Sequence, residues 1–278
     1  MTDPAAPSPP SGGLRQRIPT AIVLAVLLLL DLFALPPLAT LLLIAIVLLG
    51  GAWEWSAFLN TVRPMRIAYV ALIGFGLLIF DPRTLEPFEL DLLLMVSGVW
   101  WVIAFGWIVV APSKPSPVLA ALAGVLTLVP TSAALGYLRL ADERGAWLVL
   151  FVMAVIMAAD VGAYFFGRAF GRVKLAPQVS PGKTWEGVLG GVALSQVLTA
   201  IGAQAFGWPL AWLAPLALAA VAFSIVGDLT ESLLKRQTGV KDSGRLLPGH
   251  GGVLDRIDSL VAGAPIFVFG LVRAGLVG

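Results

Sequence analysis

Long apolar runs interrupted by short polar clusters dominate the chain. Nine runs stand out: Pro19–Leu35, Leu38–Leu59, Ile67–Phe80, Leu90–Ala111, Val118–Leu138, Trp147–Phe166, Gly187–Phe206, Leu210–Leu229 and Val253–Val272. Runs of 18 or more apolar residues, rising 1.5 Å per residue as a helix, match a hydrocarbon core about 30 Å thick. They are continuous and do not alternate, which excludes the period-two pattern of a membrane β-barrel. The pattern therefore predicts an all-α, polytopic integral membrane bundle of about nine transmembrane helices. The third run is short and borrows residues from its flanks. Residues 1–17 are rich in Pro, Ser and Gly and are expected to form a disordered tail. No small-residue cleavage pattern follows them, so they do not read as a signal peptide. Residues 18–278 read as one membrane-embedded domain without internal repeats.

Composition strengthens this reading. Of 278 residues, 59% are hydrophobic and only 12% are charged, where a soluble domain carries about a quarter. The chain has no cysteine, which excludes disulfides, thiolate metal sites and cysteine nucleophiles. The net charge of +2 says less than its distribution. With the N-terminus in the cytoplasm, 14 of the 18 basic residues fall inside, leaving Arg83, Arg139, Arg144 and Arg273 outside. The positive-inside rule selects that topology, N-terminus in and C-terminus out.

Charge concentrates in two segments of the same face, Asp160–Glu186 and Asp228–Asp258, which together hold 16 of the 34 charged side chains. Their connecting parts, 167–186 and 230–252, are the expected catalytic loops. Asp228 ends the eighth run and Asp255 opens the ninth, so helix polarity places both carboxylates at about the same membrane depth. Asp255 and Asp258 share a helix face, as do Asp228 and Glu231. Clustered carboxylates repel unless a cation sits between them. Oxygen donors without histidine or cysteine clusters favour Mg²⁺, with a second cation left open. Isolated ion pairs, Asp255 with Arg256 and Asp228 with Lys235, are the bland alternative. Asp160 lies inside the sixth run, where a carboxylate either lines a functional cavity or pairs with a basic group of a neighbouring helix. Gly182-Lys183-Thr184 mimics the end of a P-loop, but Pro177 stands where the motif needs glycine and no hydrophobic strand precedes it. What survives is a turn into a helix N-terminus that suits an anion, with Lys183 beside it. His250, the only histidine, sits between glycines that allow close approach to a ligand.

The stretch Ser232, Lys235, Arg236, Lys241, Asp242, Gly244, Leu247, Pro248, His250, Gly251, Gly252, Asp255, Arg256 and Asp258 closely resembles the signature of phosphatidate cytidylyltransferases, also called CDP-diacylglycerol synthases. The runs Asp160–Gly171 and Ser180–Gly187 resemble that family too, and the likeness covers roughly residues 20–276. One departure is Gly182, where many relatives carry lysine. The resemblance implies CTP and phosphatidic acid as substrates, CDP-diacylglycerol and pyrophosphate as products, Mg²⁺ dependence and a homodimer among membrane lipids. It implies no nucleic-acid partner, and places the protein in a bacterial inner membrane with its site facing the cytoplasm. By motif position, Asp228 and Asp255 are expected to hold metal. Lys183, Lys235, Arg236, Lys241 and Arg256 are expected on phosphates, with His250 near the nucleotide. Ser180, Thr184, Asp160, Asp242, Gly251 and Gly252 complete the expected substrate site. The rivals are transfer of CMP to another lipid phosphate and an anion transporter. The transporter is disfavoured because the charges lie on one face and no matching broken-helix repeats are present.

Overall fold

Prolines set where several helices begin. The computed structural model describes residues 14–110, 112–244, 246–247 and 251–277, with side chains from residue 22 onward. Pro37, Pro64 and Pro117 occupy the first turns of α2 (Pro37–Phe58), α3 (Arg63–Ile79) and α5 (Pro117–Ala141), where a missing N–H is harmless. Around them stand α1 (Leu14–Ala34), α4 (Pro87–Val110), α6 (Gly145–Phe170), α7 (Trp185–Phe206), α8 (Leu210–Thr238), α9 (Leu254–Ile257) and α10 (Leu260–Arg273). Left-handed glycines, Gly207 and Gly239, end α7 and α8.

Six helices, α2 and α4 through α8, are long and apolar enough to cross a membrane. The remaining three expected spans correspond to α1, whose described apolar part is Ile22–Ala34, to the 17-residue α3 and to the 14-residue α10. Leu14 to Arg17, expected in the tail, are already helical in α1. The ninth run is split at Asp258 and Ser259, which separate α9 from α10 although both keep right-handed helical angles.

α5 is the most buried of the spanning helices. Leu128, Val129, Ala133, Ala134 and Leu138 on it are nearly inaccessible, and it packs against α2 and α10. Thr131 Oγ1 donates to Thr127 O at 2.7 Å within α5 and to Val261 O of α10 at 3.1 Å. α6 and α7 make the most intimate helix pair, and glycine is the reason. A Cβ on Gly162 would come within 2.6 Å of Gly190 O, and one on Gly191 within 2.5 Å of Ala159 O. Small residues let two membrane helices approach backbone to backbone. Outward on this pair, Met157, Val161, Phe165, Leu189, Val197 and Ile201 are exposed, an apolar surface suited to lipid.

Between α6 and α7 the chain forms a two-stranded antiparallel hairpin, β1 (Lys174–Ala176) with β2 (Ser180–Thr184), instead of the expected plain turn. Lys174 pairs with Thr184 and Ala176 with Ser180. The hairpin folds back over one end of the bundle and carries Lys183 there.

Candidate active site

Five parts of the chain converge at that end: α6, the β1–β2 hairpin, the start of α7, α8 and the α9 region. They enclose a cavity of about 710 Å³. α6 contributes Asp160, Tyr164 and Arg168, β2 contributes Ser180, Lys183 and Thr184, α8 contributes Asp228, and the chain around α9 contributes Asp255, Arg256, Asp258 and Ser259. Apolar walls come from Ala163, Val188, Val221 and Ile225. Gly227 makes this closure possible, because a Cβ there would sit 2.5 Å from Asp258 O. α8 therefore touches the backbone of the Asp258 turn and brings Asp228 beside it.

Lys183 Nζ lies 2.5 Å from Asp228 Oδ2, joining the two charged segments of the sequence across the cavity. Ser232 Oγ donates to Asp228 Oδ1 at 3.3 Å. Asp160 accepts from Ser259 Oγ at 3.1 Å, and both Asp160 and Asp258 lie within electrostatic reach of Asp228 and Lys183. On the next turn, Lys235 Nζ bridges Asp255 Oδ1 at 2.7 Å and Glu231 Oε1 at 3.1 Å. Asp255 also accepts from the N–H groups of Ser243 and Gly252, each at 3.0 Å to Oδ2. The carboxylates thus have lysine partners, but Lys183 and Lys235, not the Lys235 and Arg256 expected of isolated ion pairs. Thr184 Oγ1 accepts from Gly187 N at 3.2 Å, so this residue caps α7 as well as lining the cavity.

Of the expected site residues, Asp160, Ser180, Lys183, Thr184, Asp228, Asp255 and Arg256 line this one cavity. Lys235 reaches it through Asp255. Arg236 is exposed on the last turn of α8, because that helix continues nine residues beyond Leu229 and takes up the start of the expected 230–252 loop. Lys241 and Asp242 are exposed on the following bend, outside the cavity lining. Gly251 has φ +86°, a left-handed conformation that glycine adopts freely. A Cβ on Gly252 would collide with Ser243 Oγ at 2.2 Å. His250 lies outside the described residues.

Several lining residues escaped the sequence reading. Arg168 was legible only as a topology anchor, yet it lines the cavity with its Nη1 donating to Tyr164 Oη at 2.9 Å. Ser259 gave no signal. Asp258 was visible as the i, i+3 partner of Asp255.

A model of the cytidylyltransferase family matches residues 15–272. The chain belongs to this family. It is 40% identical to the phosphatidate cytidylyltransferase of Haemophilus influenzae over 92% of this chain and 98% of that one. The corresponding protein of Pseudomonas aeruginosa is 42% identical, over 94% of this chain and 98% of its own. That of Brucella suis is 39% identical, over 94% of each. The match spans both cavity-forming segments and the helices that hold them.

Proposed function

We infer that the protein transfers CMP from CTP to phosphatidate, giving CDP-diacylglycerol and pyrophosphate. The observation that carries this reading is the contact between Lys183 and Asp228, which joins two distant charged segments on the wall of one cavity. The likeness to phosphatidate cytidylyltransferases over nearly the whole chain supports the same reading.

In the reaction a phosphate oxygen of phosphatidate attacks the α-phosphorus of CTP. One P–O bond forms there while the bond from the α-phosphorus to the α,β-bridging oxygen breaks, and the β- and γ-phosphates leave together as pyrophosphate. No enzyme nucleophile is needed. The difficulty is that two polyanions must meet, so fixed cations have to offset their repulsion and the charge on the departing oxygens. Lys183 and Arg256, which line the cavity, are assigned this role, together with the exposed Arg236 on the last turn of α8 and Lys241 on the bend after it. Lys235 acts by holding Asp255. Ser180, Thr184, Asp242, Gly251 and Gly252 are assigned to orienting the nucleotide; His250, given the same role by motif position, lies outside the described residues. The apolar walls keep bulk water off the α-phosphorus and leave the acyl chains in the bilayer.

Among the described residues no three acidic or histidine side chains form a ready-made metal cage. That suits Mg²⁺, which takes one or two carboxylates and completes its shell with waters and substrate phosphates. Asp228 and Asp255 are the proposed ligands, with Asp160 and Asp258 adding negative potential. Bound by these two carboxylates, Mg²⁺ would supply positive charge to offset that of the phosphates.

The assembly proposed is a homodimer in a bacterial inner membrane, with nine crossings that include α1, α3 and α10. The 14-to-4 distribution of basic residues supports a cytoplasmic cavity. Incubation of purified protein with labelled CTP and defined lipids tests the reaction. Label in CDP-diacylglycerol is expected with phosphatidate; label only in another lipid would redirect the substrate, and no lipid-linked label would favour transport.

A further inference from the structure

Glu54 is a carboxylate that the reaction does not use, and it is 2% exposed. It stands near the end of α2, in a half of the chain whose described residues contribute nothing to the cavity lining. Its Oε2 accepts from Leu254 N at 2.8 Å and from Ser243 Oγ at 3.2 Å. Those partners are 200 and 189 residues away in sequence. Both donors belong to the segment that delivers Asp255. Ser243 is gripped twice, since its N–H donates to Asp255 and its hydroxyl to Glu54.

The surroundings are shaped to this carboxylate. A Cβ on Gly244 would stand 2.0 Å from Glu54 Oε1, and one on Gly252 would stand 2.6 Å from Oε2. One turn earlier on α2, Gly50 and Gly51 face Leu246, Val253, Leu254 and Ile257. A buried carboxylate is costly to retain unless hydrogen bonds compensate it. Here the compensating donors are the first backbone N–H of α9 and a side chain of the loop.

We propose that Glu54 is a positioning residue: it pins Ser243 and Leu254 to α2 and so fixes where Asp255 and the Lys241–Asp242 bend stand relative to the cavity. It touches no substrate. All of its described hydrogen bonds fall on Oε2, so a glutamine whose carbonyl oxygen takes that place keeps both bonds while losing the charge. Alanine loses both.

Only the kinetic arm of the test rests on the CMP-transfer reading. A nitroxide on Leu246→Cys, feasible because the chain has no cysteine, reports segment mobility without reference to activity. Glu54→Gln is expected to keep label mobility unchanged and turnover within about threefold of the parent. Glu54→Ala is expected to free the label and lower kcat/KM by at least about tenfold, or about 1.4 kcal/mol. Ser243→Ala should fall between them. Glu54→Gln as inactive as Glu54→Ala, with the label still ordered, would show that the charge itself acts and overturn the proposal. An ordered label in Glu54→Ala would overturn it too. If Glu54→Ala does not accumulate, Ser243→Ala decides: partial release of the label supports the pinning role, and an unchanged label contradicts it. If wild-type protein makes no CDP-diacylglycerol while the labels behave as expected, the reaction fails and the pinning role stands.

Discussion

Single side chains do two jobs at this site, and substitutions separate them. Lys183 contacts Asp228 from the hairpin, whereas Lys241 stands exposed on the bend after α8. If Lys183 and Lys241 bind phosphate as proposed, Lys183→Ala and Lys241→Ala should each lower turnover by at least about tenfold, the scale of one charged transition-state contact. Lys114→Ala, which removes an exposed charge from the α4–α5 connection, is the control. Equal behaviour of all three in steady-state assays would reduce the first two lysines to topology anchors. At this scale the sequence was informative wherever a charge broke an apolar run, as at Asp160 and Asp228. The same signal marks Glu54, flanked by Trp53 and Trp55 within the second run, but nothing along the chain shows that its partners are Ser243 and Leu254. Arg168 was hidden because a basic residue at a helix end already has an explanation in membrane topology. No pattern along the chain tells that Ser259 faces Asp160, since that contact joins residues 99 apart.

Elements place these side chains, and the α6–α7 pair and the two ends of α8 matter most. The glycine contact between α6 and α7 holds Asp160 and the hairpin in register. Gly162→Val would push a side chain into Gly190 O and the Gly191 backbone. Overpacking of this kind costs about 1–3 kcal/mol, so the variant should unfold at lower temperature in detergent and lose activity. Gly106→Ala, where nothing stands within 4 Å of the new methyl, should keep the parent's stability. The helices were readable as apolar runs, although their ends were not. The eighth run stops at Leu229 because Glu231, Lys235 and Arg236 follow, yet the helix continues to Thr238. The Lys235–Glu231 pair, one turn apart, supports that extension. The hairpin was concealed by Pro177, Pro181 and Gly182, which read as a turn in sequence. The pairing of Lys174 with Thr184 is a tertiary fact that local propensity does not carry.

Across the whole molecule, polar chemistry gathers at one end while the flanks stay apolar. The topology this implies is testable by single cysteines in a chain that has none. Gln178→Cys on the exposed hairpin tip should react with an impermeant thiol reagent only from the cytoplasmic side, and Thr84→Cys only from the other. Labelling of both from one side would break the proposed alternation of spans. The proposed Mg²⁺-dependent CMP transfer is best probed at the cavity's own carboxylates. Asn matches Asp in size and hydrogen bonding but lacks the charge that holds a hard dication. Turnover of phosphatidate and CTP in micelles is measured against Mg²⁺ concentration for wild type, Asp228→Asn, Asp255→Asn, the double variant and Asp142→Asn. Each single cavity variant should nearly abolish CDP-diacylglycerol formation while still inserting normally, and the double variant should add little, because groups acting as one unit are not additive. Asp142→Asn, at the opposite end beside Arg144, should be silent. Near wild-type turnover at low Mg²⁺ in both single cavity variants would contradict the account and leave Asp228 and Asp255 as ion-pair partners of Lys183 and Lys235.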